Sequence, residues 1–298
     1  MGKTVIGWLA VAAVLMGSAW VRAEPKPQEI EKIKAALPAE APAKPKKPRK
    51  LLIFTKTNGF RHKAAIKVGP TSMKMLGEKT GAFTTVHTED ESYFEPDKLK
   101  TFDAVLFLNT TGECFKKSKK DKAGSEREER LKKSLVDFVK GGGGIAGFHS
   151  ATDTYKRWKE YTEMMGGAFA GHPWNARSKV WVKIDDPDHK LTSNFKGESF
   201  EVQDEIYQFR GDTALRTDQR ILLSLDGSKT NLKRGRRKNG DYPVAWVRSY
   251  GKGRCFYSSL GHNPHIFWDK RILPFYLAGL QFALGDMEVK TEPVPLKK

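Results

Sequence analysis

The stretch GGGGIAGFHSATD at residues 141–153 decides the fold class. Its apolar part, Ile145 to Phe148, has no polar alternation, which predicts a strand covered on both faces. The glycines before it end an amphipathic helix predicted at residues 128–140. The polar residues after it predict a turn at the carboxyl end of the strand. A helix that leads into a buried strand is typical of α/β proteins with a parallel sheet.

The same pattern continues on both sides of this stretch. Helices are predicted at residues 64–80 and 268–284, and strands at 51–54, 83–86, 104–108, 178–184, 199–209, 219–225, 243–249 and 254–260. Several of the later strands alternate, as antiparallel strands with one wet face do. We therefore expect an α/β fold. Its sheet should be mostly parallel, with helices on both faces and an added antiparallel β edge.

The chain divides into four segments by composition. Residues 1–23 have a positive Lys3, an apolar run and small residues before Glu24, which predicts a signal peptide and export to the periplasm or the extracellular space. An uncleaved anchor is the alternative. Residues 24–49 predict a Pro/Lys/Ala-rich linker with a short helical stretch, residues 50–288 a single domain, and residues 289–298 a tail. No membrane span is expected in the mature protein.

The positive charge is concentrated in two short segments. The formal net charge is +18, and residues 24–50 and 228–238 carry much of it. Contact with an anionic surface through these segments is one interpretation, and solubility is the other. No specific nucleic-acid binding is expected, because no recognition fold accompanies the charge. Cys114 and Cys255 have no metal or redox spacing, and their pairing stays open.

His149 directly follows the buried strand of the opening stretch. A sharp turn there would push its side chain into the crevice at the carboxyl ends of the strands, as a general acid or base or as a metal ligand. Ser150 and Asp153 follow within the same turn. Ser150 has a second interpretation as a helix N-cap, with Asp153 at the third helical position.

Three further polar motifs offer partners for His149. They are Gly171-His172-Pro173, Gly261-His262-Asn263-Pro264-His265 and Asp204-Glu205-Ile206-Tyr207. If residues 199–209 form a strand, one of the two acids faces inward and the other outward. Zinc takes His and carboxylate ligands of this kind, so a divalent metal such as zinc is a candidate cofactor. His87 and His189 are expected at the surface.

Taken in chain order, these motifs resemble the ThuA-like (trehalose-utilisation) family. The segments that carry the resemblance are residues 57–62, 147–153, 171–173, 204–207 and 251–262. The resemblance implies a class I glutamine amidotransferase-like fold, which has a flavodoxin-like sheet. It also implies a link to disaccharide or keto-sugar use. The larger superfamily has a catalytic cysteine at the turn where this chain has His149. Glutamine hydrolysis is therefore not expected.

We expect an exported enzyme that acts on a disaccharide or keto-sugar derivative by hydrolysis, elimination or isomerisation. The alternative is a non-catalytic carbohydrate-binding protein of the cell envelope. Candidate catalytic residues are His149, Asp153, His172, Glu205 and His262, and candidate metal ligands are His149, His172 and His262. Candidate substrate-binding residues are Asn58, Phe60, Arg61, His62, Asn109, Thr110, Ser150, Trp174, Tyr207 and His265.

Overall fold

The computed structural model describes residues 24–117, 120 and 125–294. In these residues nine strands form one sheet in the order β2-β1-β3-β4-β9-β8-β7-β5-β6. The strands are β1 Lys50–Phe54, β2 Thr84–Thr88, β3 Ala104–Leu108, β4 Gly144–Phe148, β5 Lys179–Ile184, β6 Phe200–Gln203, β7 Arg220–Leu225, β8 Pro243–Tyr250 and β9 Gly253–Ser258. The α-helices are α1 Pro27–Ala36, α2 Lys63–Thr80, α3 Pro96–Leu99, α4 Glu126–Lys140, α5 Lys159–Met165 and α6 Ile272–Leu284.

The sheet is mixed rather than mostly parallel, which corrects the expectation from sequence. The pairs β2–β1, β1–β3, β3–β4 and β4–β9 are parallel. The pairs β9–β8, β8–β7, β7–β5 and β5–β6 are antiparallel. A tight turn at residues 251–252 joins β8 to β9, and strands joined so closely must pair antiparallel. The antiparallel part is therefore half of the sheet and not an edge.

Both faces of the sheet are covered by helices. Along β1, Leu51 and Ile53 pack into one core, on the side of α1, α2 and α6. Leu52 and Phe54 pack into the other core, on the side of α3, α4 and α5. Side chains of a strand point alternately to the two faces, so burial of both explains the continuous apolar run in the sequence.

Residues 27–49 form a strap packed on the domain and not a free linker. Ile33 of α1 is fully buried. The side chain of Gln281 accepts from the Ala43 N–H at 3.1 Å and donates to the Ala43 carbonyl at 2.6 Å. Arg49 pairs with Asp103 and Asp286. The apolar face of α1 and these bonds hold the strap, although its composition resembles that of a linker.

The beginning of the predicted tail is also held by the domain. The carbonyl of Lys290 lies 3.0 Å from His189 Nε2, and the carbonyl of Glu292 accepts from Arg220 at 3.3 Å. His189 is buried by this contact, so its expected surface position is wrong. The predicted signal peptide and residues 295–298 lie outside the described residues. None of the helices in the described ranges is long and apolar enough to cross a membrane.

Candidate functional site

The chain turns sharply at the carboxyl end of β4, where the 3₁₀ turn His149–Asp153 begins. His149 is fully buried and has a φ of +49°, in the left-handed region that costs non-glycine residues about 1–2 kcal/mol. The hydroxyl of Tyr257 donates to the His149 carbonyl at 2.7 Å. Asn109, at the end of β3, donates to the Gly261 carbonyl at 3.0 Å, close to the same turn. These contacts stabilise a backbone that directs the His149 imidazole into the crevice.

The ring of His149 has a defined tautomer when it is neutral. Its Nδ1 lies 2.8 Å from the carbonyl oxygen of Ser259, which can only accept, so Nδ1 carries the proton. The other nitrogen, Nε2, then offers a lone pair. Nε2 lies 3.2 Å from His262 Nδ1 and 3.6 Å from Glu205 Oε1. The ring of Tyr207, with centroids 4.4 Å apart, covers one side of the imidazole.

Glu205 is the carboxylate of the site. It lies just after β6, and its Oε1 is 3.2 Å from His262 Nδ1. Its Oε2 is 3.4 Å from His172 Nδ1. Burial alone would raise the pKa of Glu205, but the adjacent imidazoles of His149 and His262 hold that pKa well below its usual range. Glu205 is therefore an anion at neutral pH.

His262 follows β9 in a loop that a second acid holds in place. The carboxylate of Asp204 is fully buried and accepts from the backbone N–H groups of Gly261 at 2.7 Å, His262 at 3.3 Å and Asn263 at 2.8 Å. Burial raises the pKa of Asp204, against the opposing effect of the nearby His149 and these N–H groups. Asp204 thus positions the backbone of His262, whereas Glu205 contacts its ring.

His62 completes the group from the other side. It stands at the start of α2, is buried, and its Nδ1 lies 3.3 Å from the hydroxyl of Ser150. Its ring centroid is 4.8 Å from that of His149 and 5.0 Å from that of His262. Burial, together with the nearby histidines, lowers the pKa of His62 to about 2. Its imidazole is therefore neutral and has a lone pair to offer.

His62, His149, Glu205 and His262 together form what we call the histidine–carboxylate cluster. One nitrogen or oxygen atom from each of them lies within 4.8 Å of the others. Zinc bonds of about 2.0–2.1 Å in a tetrahedral site put neighbouring ligands roughly 3.3–3.4 Å apart. The three distances among His149 Nε2, His262 Nδ1 and Glu205 Oε1 are 3.2, 3.2 and 3.6 Å. The cluster therefore has the donor atoms and the spacing of a divalent metal site.

The candidate metal ligands predicted from sequence do not all lie in the cluster. His172 lies outside the cluster, at its rim, with about half of its side chain exposed. Its ring stacks on Phe169, with centroids 6.0 Å apart, and its contact with the cluster is through Glu205. His62, predicted only as a substrate-binding residue, belongs to the cluster, whereas His172 does not. Its position at the carboxyl end of β1 was the available signal.

Asp153 and Ser150 do not have the positions expected of them. The carboxylate of Asp153 pairs with Lys156 at 2.6 Å and lines a separate cavity of about 620 Å³, so it is not a member of the cluster. The Ser150 hydroxyl contacts His62 rather than capping a helix, because the residues after it form a 3₁₀ turn whose N-cap position is Phe148.

Three predicted substrate-binding residues serve the fold instead. Trp174 is buried at 1% exposure and packs edge-on against Tyr242. The Thr110 hydroxyl is buried against that of Thr154 at 2.7 Å. Asn58 donates to the carbonyls of Glu113 and Lys116 and so ties two loops together. The backbone of Trp174 forms an isolated antiparallel bridge with that of Ile206.

Phe60 lies beside the cluster and faces solvent. Its side chain is 68% exposed, and its ring centroid is 4.8 Å from that of His62. Thr111 holds the loop, because its hydroxyl accepts from the Gly59 N–H at 3.1 Å and donates to the Phe60 carbonyl at 2.8 Å. The loop therefore presents an aromatic ring at the rim of the cluster.

Arg61 and His265, the remaining predicted substrate-binding residues, are not members of the cluster. Arg61 pairs with Glu89 at 2.6 Å. His265 lies in the following 3₁₀ turn, Pro264–Trp268.

Cys114 and Cys255 are both buried and unpaired, and burial raises the pKa of each thiol. Neither cysteine stands at the turn occupied by His149.

Comparisons with solved structures show the same fold in other bacterial proteins. A ThuA-like protein from Bacteroides uniformis is 23% identical, with a TM-score of 0.61 over 80% of this chain and 93% of that one. A ThuA-like protein from Parabacteroides merdae is 18% identical, with a TM-score of 0.56 over 80% of this chain and 91% of that one. A cytoplasmic protein from Salmonella typhimurium is 12% identical, with a TM-score of 0.51 over 78% and 98% of the two chains. No curated protein matches the sequence.

The family model for ThuA, described as trehalose utilisation, matches residues 50–283. The match begins at β1 and reaches the last turn of α6, so it includes every strand of the sheet and all four residues of the cluster. A carbohydrate-related role is supported by this match. The chain belongs to the ThuA (trehalose utilisation) family.

Proposed function

We propose that this protein is an enzyme that binds a divalent metal ion in the histidine–carboxylate cluster and acts on a disaccharide or a keto-sugar derivative. Family membership supports the carbohydrate substrate class. One observation supports the chemistry: His149 Nε2, His262 Nδ1 and Glu205 Oε1 lie 3.2–3.6 Å from one another in a buried site.

The arrangement favours a cation between these atoms. His149 Nε2 carries a lone pair because Nδ1 is committed to the Ser259 carbonyl, and Glu205 is an anion. Lone pairs that face each other in a buried site repel unless a proton or a metal ion lies between them. Within the described residues, the ion pairs of Glu205 are all with histidines, which are themselves metal ligands when neutral.

The residues at the rim supply the other functions that such an enzyme needs. A bound divalent ion would polarise a carbonyl or hydroxyl oxygen of the sugar. His172 is half exposed and 3.4 Å from Glu205 Oε2, so it can move a proton to or from a substrate at the rim. The exposed ring of Phe60 offers an apolar face to a sugar ring. Hydrolysis, elimination and isomerisation all use these parts, and product analysis distinguishes them.

Metal analysis of the purified chain tests the cluster. We expect about one Zn²⁺ or Mn²⁺ ion per chain after supplementation and dialysis. His149→Ala and Glu205→Gln should each lose the ion, because each removes one of three close ligands. The control is His87→Gln, which changes a histidine on β2 at the edge of the sheet. Full metal content in both cluster variants would contradict the metal site.

Turnover is tested with trehalose and with its keto derivative, and the products are separated by chromatography. We expect product from the metal-loaded wild type and at least a 100-fold lower rate after His149→Ala. Equal rates in wild type and His149→Ala would refute the catalytic assignment. Calorimetric binding of either sugar without any product would instead identify a carbohydrate-binding protein.

A further inference from the structure

We propose that a second site, in a cavity of about 590 Å³ on the antiparallel half, binds the anionic group of an acidic saccharide. The inference rests on the proposed function for its saccharide class and on this cavity for its charge. Four basic side chains line the cavity, namely Arg210, Arg236, Arg237 and Lys238. None of these four basic residues belongs to the histidine–carboxylate cluster.

Arg237 is a buried cation that has no carboxylate partner among the described residues. Its side chain is only 8% exposed, and its guanidinium donates to the backbone carbonyls of Phe209, Arg210, Thr213 and Ala214 at 3.0–3.4 Å. Its Nε–H has no hydrogen-bond partner within the described part of the chain. The nearby Asp241 is engaged by Arg216 through two bonds of 2.9 Å. A buried charge that is not paired destabilises the folded protein. Binding of an anion next to Arg237 would therefore be favourable.

Two more positive charges flank Arg237 in the sequence and in the cavity. Arg236 and Lys238 are exposed, and neither makes an ion pair with any residue that the structure describes. Arg210 differs, because Asp212 accepts from its Nε at 3.1 Å. Three uncompensated cations therefore surround one concave site. Guanidinium groups bind sulfate, phosphate and carboxylate groups through paired hydrogen bonds, which makes an anionic group the fitting ligand.

A single hydrogen-bonded segment joins this cavity to the rim of the cluster. The side chain of Gln208 accepts from the Arg236 N–H at 2.8 Å and donates to the Ala170 carbonyl at 3.1 Å. The Gln208 N–H donates to the carbonyl of Gly171, next to His172. The cavity therefore adjoins the loop that carries His172. This continuity favours an anionic group on the saccharide that the cluster handles over an unrelated polyanion.

Titration calorimetry on the full chain tests the proposal. The probes are a sulfated disaccharide, an unsulfated uronic-acid disaccharide, trehalose as the neutral disaccharide, and inorganic sulfate. We expect the sulfated or the uronic disaccharide to bind at least about tenfold more tightly than trehalose, and the stronger of the two identifies the anionic group. Equal affinity for trehalose and both charged disaccharides would overturn the proposal.

Two matched double variants distinguish specific binding in the cavity from general attraction to the positive charge of the loop. Arg236→Gln with Lys238→Gln removes two charges from the cavity, and Lys233→Gln with Arg234→Gln removes two exposed charges from the same loop outside it. We expect the first pair to weaken binding of the charged disaccharide about tenfold and the second pair less than twofold. Equal losses in both, or no loss in the first, would contradict the site. Inorganic sulfate binding as tightly as the disaccharide would also contradict a saccharide ligand.

The same titrations on metal-free protein distinguish this inference from the proposed function. Chelation and His149→Ala disable the cluster but leave the cavity residues in place. Anion-dependent binding that survives both treatments supports the second site even if no turnover is found. Loss of that binding on chelation would mean that the cluster itself holds the anionic group, and the second site would be wrong.

Discussion

The two halves of the sheet contribute to the cluster by different means. The parallel half supplies His149 and His62 from turns at the carboxyl ends of β4 and β1. The antiparallel half supplies Glu205 from irregular backbone after β6, and His262 follows β9 at the seam. His149 depends on a left-handed backbone held by neutral hydrogen bonds, whereas His262 depends on the buried carboxylate of Asp204. Charged hydrogen bonds are the stronger kind, so the second support should be the more critical.

The largest effect is expected from Asp204→Asn. The amide would place an N–H₂ group or a neutral oxygen against three backbone N–H donors, and hydrogen bonds to charged groups contribute about 1.5–3 kcal/mol each. We expect unfolding in urea to show a loss of about 2–4 kcal/mol. Metal affinity should fall roughly 10–100-fold, as when residues that orient metal ligands are changed.

Asp226→Asn is the matched control for that experiment. Asp226 also accepts from a backbone N–H, that of Ser228 at 3.0 Å, but it is only half-buried and is remote in sequence from the cluster. Its substitution should leave metal affinity unchanged. If Asp204→Asn binds metal as tightly as wild type, the loop of His262 does not need its buried acid, and the contrast between the halves is wrong.

The sequence allowed closer prediction of the parallel half than of the antiparallel half. The strand predicted at 104–108 is β3 to the residue, and His149 follows its strand as expected. Buried parallel strands have continuous apolar runs with clear ends, so their boundaries and the residues after them can be read directly. The strand predicted at 199–209 is wrong beyond residue 203. After that point the backbone is held by isolated bridges, such as Trp174 with Ile206, which leave no periodic pattern.

Two features of the cluster also differ from what the sequence pattern predicts. The alternation rule placed one of Asp204 and Glu205 inward and the other outward, yet both are buried, on different partners. His62 rather than His172 belongs to the cluster because the start of α2 contacts the turn after β4, which is distant in sequence. The local spacing of residues does not predict such a long-range contact. The strap was mistaken for a linker because the burial of Ile33 also depends on distant partners.

A smaller effect, on stability alone, is expected at the opposite end of the parallel half. Asp103 accepts from the Lys50 N–H at 2.9 Å, Arg49 at 3.0 Å and Lys47 at 2.8 Å. Burial acts to raise the pKa of Asp103, but these bonds outweigh it and hold the pKa below its ordinary value. The stabilisation is therefore present above the unfolded pKa of about 3.9 and is lost as the pH falls through the lower folded pKa.

Urea unfolding of Asp103→Asn at two pH values measures this contribution. At pH 7 the variant should lose about 1–3 kcal/mol, and the difference from wild type should shrink as the pH falls below the unfolded pKa of about 3.9. Asp97→Asn is the control, because Asp97 pairs with Lys100 on an exposed surface. Metal affinity should be unchanged in both variants. A difference that grew on acidification would contradict the sign of the pKa shift.

The smallest effect is expected from Tyr257→Phe, which removes the hydroxyl that donates to the His149 carbonyl. A neutral hydrogen bond contributes about 0.5–1.5 kcal/mol, and the Ser259 carbonyl still orients the imidazole through Nδ1. We expect a stability loss of that size and a metal affinity only about two- to fivefold weaker. Tyr161→Phe is the control, since its hydroxyl donates to the carbonyl of Ala151 in the same turn. It should cost similar stability without changing metal affinity. An equal weakening of metal binding by Tyr257→Phe and by Asp204→Asn would contradict this comparison. The two halves would then contribute equally to positioning the metal ligands, and the strained turn at His149 would depend on this one hydroxyl.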